Sequence, residues 1–67
     1  MAVANVVEIS ATSPQGSGDA IRQGLERATQ TLRGVTSAWV KEQRVKLRDG
    51  QIQEYQVNIQ VTFVLDG

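Results

Sequence analysis

Asp49-Gly50 stands between two runs of β-branched and alternating residues within Thr36 to Leu65, and nothing else in the chain limits the fold so tightly. A type I′ turn needs left-handed backbone angles at both central residues, which Asp and Gly adopt cheaply, so the pair predicts a long β-hairpin. With Asp49 and Gly50 as a two-residue loop, Arg48 faces Gln51. The same register then sets Val40 opposite Ile59, Ala38 opposite Val61, Thr36 opposite Phe63 and Gln43 opposite Gln56. One face collects Val57, Ile59, Val61, Phe63 and Leu65 and is the expected core. The other carries Ser37, Trp39, Lys41 and Gln43 beside Gln56, Asn58, Gln60 and Thr62, with Trp39 across from Gln60.

A lone tryptophan among neutral amides, where charge is the ordinary solubilising choice, points to a surface covered by a ligand or another subunit. Chain length favours the same conclusion. A chain of 67 residues removes only about 60% of its unfolded surface from water, so its own core is marginal. It has one Phe, one Tyr and one Trp, and no Cys or His to supply a disulfide or a structural metal site. Oligomerisation is the remedy left for so small a domain. Seven basic and seven acidic residues cancel, which argues against general binding to nucleic acid or to an anionic membrane. No apolar run approaches the roughly 20 residues that span a bilayer and no signal segment opens the chain, so the expected location is the cytoplasm.

Val3 to Ile9 alternates as a first strand, with Val3, Val7 and Ile9 on one parity and Val6, Glu8 and Ser10 on the other. ATSPQGSG, residues 11 to 18, is turn chemistry, with Ser17 as the expected helix cap and Asp19 placed against the helix dipole. From Asp19 to Arg33, Ile21, Leu25, Ala28 and Leu32 draw one apolar stripe, widened by the small residues Ala20, Gly24 and Thr31, and Gly34 follows as a C′ residue. The order strand, helix, strand, strand predicts a single α+β domain over residues 1 to 67, a three-stranded antiparallel sheet packed on one helix.

Nucleophilic catalysis in its usual forms needs a His or Cys that the chain lacks. Glu8, Glu42 and Glu54 lie on strands with nothing to pair them in an apolar pocket, so no enzyme is expected. Gly16-Ser17-Gly18 before a helix has neither a Walker lysine nor the GxGxxG spacing and reads as a plain loop. Asp19, Asp49, Asp66 and the glutamates offer oxygen ligands but form no calcium-loop motif. Trp39 with Gln56, Asn58 and Gln60 remains. An indole stacks on flat heteroaromatic rings and a Gln amide matches the imide edge of a pyrimidine or an isoalloxazine; equally, Trp39 could anchor a subunit interface. Gln56 and Trp39 are separated by roughly 13 Å along the ladder at ~3.3 Å per residue, so a site using both draws on more than one chain.

The β-α-β-β order, the ATSPQGSGDAI segment that leads into the helix, ATQTLR at its end, the acidic-glycine hairpin and the closing YQVNIQVTFVLDG together resemble the dodecin family over nearly the whole chain. The resemblance implies a hollow homododecamer with helices outside, which sequesters flavins as stacked pairs at subunit interfaces and does not turn them over. In flavin-binding members a tryptophan at the start of the second strand stacks on the isoalloxazine and a glutamine in the last strand bonds it. The glutamine corresponds to Gln56. The stacking position falls on Ser37, while Trp39 stands where flavin binders often carry Glu, on the same face but about 6 to 7 Å further along the strand. The resemblance thus implies a cofactor site for FMN, FAD or riboflavin made by Trp39 and Gln56, with Ser37 and Gln60 lining it. Its alternative is a structural shell that binds no flavin and holds calcium or magnesium ions.

Overall fold

The computed structural model describes residues 3–65. Four elements follow one another as β1 (Ala4–Ser13), α1 (Ser17–Thr31), β2 (Val35–Arg48) and β3 (Gln51–Val64). They form the predicted α+β fold, an antiparallel sheet in the order β1-β3-β2 with α1 across one face. Asp49 and Gly50 have φ of 53° and 78°, the left-handed pair that the hairpin turn requires.

β3 takes the centre of the sheet, and its Val57, Ile59 and Val61 are fully buried beneath the helix. Burial of each is worth about 1.5 to 3 kcal/mol. Phe63 is only half-buried and Leu65 is exposed, so the core is shorter than the predicted face. On the helix, the residues that reach the sheet are Ala20, Gly24 and Ala28, all buried. Ile21, Leu25 and Leu32 flank this line half-buried, so Ala20 and Gly24, expected only to widen the stripe, form its centre with Ala28, while Thr31, expected with them, is exposed. A Cβ on Gly24 would lie 3.1 Å from the Cβ of Ala11 and 3.5 Å from Ile59 Cδ1. The bare Cα therefore sets how closely α1 approaches β1.

The hairpin register is the predicted one near the turn, where Arg48 pairs with Gln51, and again where Ala38, Trp39 and Val40 pair with Val61, Gln60 and Ile59. Between these stretches it is displaced by a residue. Gln53 is extra in β3 and Lys41 is extra in β2, so Gln56 faces Arg44 and not Gln43, which turns to the helix side opposite Val57. A further irregularity at Thr36 places Val35, not Thr36, across from Phe63. Each unpaired residue inverts the alternation of the strand that carries it, which is why a strict two-residue period misassigns this segment.

The helix boundaries also shift. β1 continues to Ser13, and Gly16, in extended conformation, precedes α1 without any side-chain cap, so Ser17 begins the helix and does not cap it. At the other end the helix stops at Thr31 and Leu32 is already extended. Gly34 has a φ of 75° but does not close the helix. Its carbonyl accepts a 2.9 Å hydrogen bond from the Val64 amide, and a Cβ there would stand 2.7 Å from the Val64 oxygen. Among the described residues no helix is long and apolar enough to cross a membrane.

Candidate functional site

Among the described residues no element covers the sheet face away from α1, and three strands build it in rungs. Val6, Thr62 and Ser37 form one; Glu8, Gln60 and Trp39 the next; then Ser10, Asn58 and Glu42; then Thr12, Gln56 and Arg44. Trp39 is 61% exposed on this open face. Its indole is thus held at the edge of a rigid sheet, where a flat ring has access to it.

Polar side chains within the rungs bind one another. Glu8 Oε1 accepts from Gln60 Nε2 at 3.4 Å and from Lys41 Nζ at 3.3 Å. Glu42 accepts from Asn58 Nδ2 at 3.5 Å and from Arg44 at 3.4 Å. Gln56 Nε2 donates to Ser10 Oγ at 3.0 Å. Lys46 and Glu54 pair at 3.1 Å one rung further on. The face is therefore more charged than the predicted amide row, because the Lys41 irregularity turns Glu42, Arg44 and Lys46 onto it. Each of its carboxylates has a cation beside it: Glu8 with Lys41, Glu42 with Arg44, Glu54 with Lys46.

Of the residues that the sequence singles out, Ser37, Trp39 and Gln60 come together, Ser37 next to Trp39 along the same face and Gln60 directly across. Gln56 lies on that face too, but four residues from Gln60 in β3, hence roughly 13 Å from the Trp39 rung. Lys41 lies on the face where the sequence places it and reaches Glu8 at 3.3 Å, whereas Glu8 is the unexpected neighbour of the Trp39 rung, brought there by pairing of β1 with β3, which no local pattern announces.

The remaining oxygen donors are dispersed. Asp19 accepts hydrogen bonds from Ser13 Oγ, Arg22 and Gln23, each at 2.6 Å. The Ser13 hydroxyl, then Arg22, holds its carboxyl below the ordinary value of 3.8. Asp49 sits in the hairpin turn, and Asp66 lies outside the described residues. Among the described residues no three His, Cys, Asp or Glu side chains gather as a metal site.

Residues 3–66 match the Dodecin family. A dodecin of Thermus thermophilus is 40% identical over 60 residues, which cover 90% of this chain and 87% of that protein. The structure of a dodecin from Streptomyces davaonensis superposes with a TM-score of 0.91 at 44% identity, covering 98% of this chain and 97% of that one. A calcium-chelating antigen of Mycobacterium tuberculosis, described as a calcium dodecin with a novel calcium-binding site, superposes with a TM-score of 0.82 at 28% identity, covering 96% and 91%.

Proposed function

The chain belongs to the dodecin family, and from that premise we propose that it binds flavin without turning it over, storing or buffering FMN, FAD or riboflavin in a homododecamer. The observation that carries this is Trp39, 61% exposed on a sheet face that no element among the described residues covers. An indole left open at so fixed a position is a stacking platform for a flat ring. Gln56 supplies the amide for the imide edge, and Ser37 and Gln60 border the ring. Because Gln56 and Trp39 are roughly 13 Å apart in one chain, the two engage one flavin from different copies, which ties binding to assembly.

The ion pairs favour flavin over calcium or magnesium on this face. Glu8, Glu42 and Glu54 each already face a Lys or Arg, and a divalent cation would have to displace it. Titration of riboflavin with the purified protein tests the proposal. Quenching of flavin fluorescence that saturates with protein supports it; unchanged fluorescence over the whole titration, with a colourless protein from a flavin-replete host, refutes it.

A further inference from the structure

Three amides stand in line along β3 on the open face, and each gives an N–H to a side chain of a neighbouring strand. Gln60 Nε2 donates to Glu8 at 3.4 Å, Asn58 Nδ2 to Glu42 at 3.5 Å and Gln56 Nε2 to Ser10 Oγ at 3.0 Å. Of the three, only the bond at Gln56 has the ordinary N–H to O length, so that amide is the most firmly held. It crosses the ladder diagonally: Ser10 pairs with Asn58, while Thr12, directly across from Gln56, makes no hydrogen bond to it. Among the described residues no side chain donates to the Gln56 carbonyl.

Which end of each amide faces its partner follows from chemistry. Glu8 and Glu42 are carboxylates and only accept, so Gln60 and Asn58 must turn their nitrogens to them. A serine hydroxyl both accepts and donates, and at Gln56 a second neighbour decides. Arg44 pairs with Gln56 from β2, on the side of β3 away from Ser10. The guanidinium favours the carbonyl end of the amide dipole on its own side, which leaves the nitrogen for Ser10. Gln56 thus lies between an acceptor on β1 and a cation on β2, and one of its two flipped orientations suits both.

We propose that Ser10 is a positioning residue for the ligand site: by holding the Gln56 nitrogen it leaves Oε1 as the free end, and the site thereby selects rings whose imide nitrogen carries a proton. The inference rests on the flavin reading above and adds to it a residue and a polarity. In the isoalloxazine imide, N3–H is a donor flanked by two carbonyl acceptors. A Gln amide that turns freely serves either kind of partner. Held by Ser10, its oxygen is presented to N3–H before the ring arrives, and the second Nε2 proton remains for an adjacent carbonyl. Fixing the amide in advance removes the cost of freezing it on binding. It also penalises the wrong ring, since an alkylated imide nitrogen leaves the oxygen out of water with no donor, and a site built around a hydrogen bond rejects the analogue that lacks it.

The test isolates one hydroxyl. Ser10→Thr keeps it and Ser10→Val puts a methyl in its place, and both β-branched residues suit this exposed strand position. Riboflavin and N3-methylriboflavin are titrated by fluorescence against the native protein and both variants. The native protein should bind N3-methylriboflavin about tenfold more weakly than riboflavin. Ser10→Val should reduce that preference to about threefold, and Ser10→Thr should keep it at about the native tenfold. General damage to the fold weakens both ligands alike and leaves the ratio where it was, so the ratio reads the positioning role itself. A native preference that Ser10→Val leaves intact, or one that Ser10→Thr loses equally, overturns this inference while riboflavin binding upholds the flavin reading. Riboflavin fluorescence that the native protein does not quench defeats the flavin reading, and this inference with it.

Discussion

Ser13 Oγ donates a 2.6 Å hydrogen bond to Asp19 Oδ2, tying the last residue of β1 to the first turn of α1 across the loop. Ser13 is also the one buried polar side chain among the described residues, and its oxygen accepts from the Gln15 amide at 3.0 Å. The clamp thus fixes the connection where no side chain caps the helix. It stabilises the fold more strongly when Asp19 is ionised, because the folded chain favours the charged carboxylate.

That dependence gives a pH prediction. Asp19 has a folded pKa below 3.8, so its contribution is fully present above the ordinary carboxylate range and is lost as pH falls through the lowered folded value. Asp19→Asn should therefore be less stable than the native chain near pH 7 in urea unfolding at fixed protein concentration. The two curves should draw together as pH falls from the ordinary value through the lowered folded one. A constant difference at all pH values would show that the charge is not what the clamp uses.

Gly24→Ala sets helix propensity against packing. The exchange favours the helix by about 1 kcal/mol, but the new Cβ meets that of Ala11 at 3.1 Å, and Ala11 has no rotamer to swing away. Overpacking of this kind costs about 1 to 3 kcal/mol. The expected balance is a net loss of about 1 kcal/mol, seen as a lower midpoint in denaturant; a raised midpoint would mean that α1 lifts from the sheet freely.

These two positions also mark what the sequence could and could not disclose. Gly24 was legible as a member of the helix stripe because a 3.6-residue period is local, though not that it sits on the centre line. Trp39 opposite Gln60 was legible because the extra residues Gln53 in β3 and Lys41 in β2 offset one another, which restores the register counted from the Asp49-Gly50 turn. Gln56 opposite Arg44 was not, since the extra residues Lys41 and Gln53 leave no compositional trace. Neither was the Glu8 side chain beside Gln60, which depends on β1 pairing with a strand more than half the chain away. Nor does any local pattern disclose the Ser13 to Asp19 clamp, because it needs β1 to extend into a stretch rich in turn residues.

Trp39→Ala should weaken riboflavin binding by about thirtyfold, the equivalent of about 2 kcal/mol for loss of a principal aromatic contact. Gln56→Ala should cost about tenfold, as the amide exchanges water for ligand partners and contributes less net energy. Both follow from fluorescence titration of assembled protein. Equal affinities for Trp39→Ala and the native chain, with the assembled mass intact, would assign the indole no part in the site.

Ser37→Trp combined with Trp39→Glu moves the indole to the stacking position that flavin-binding relatives are expected to use. Around Ser37 the rung is completed by Thr62 and Val6, short side chains that leave room for a ring to lie flat. Around Trp39 the rung holds Gln60 and Glu8 with Lys41 bound to it, a polar group already engaged at 3.3 Å. Shifting the indole by one rung, about 6 to 7 Å, should therefore let the isoalloxazine stack without displacing the Glu8 to Lys41 pair. Riboflavin affinity should rise by about tenfold, which is about 1.4 kcal/mol. The Ser37→Trp change alone should give an intermediate gain, since the native Trp39 remains beside it. If the double variant binds no tighter than the native protein, the native indole reaches the ring equally well from its own rung, and the displacement is a different approach to the same flavin.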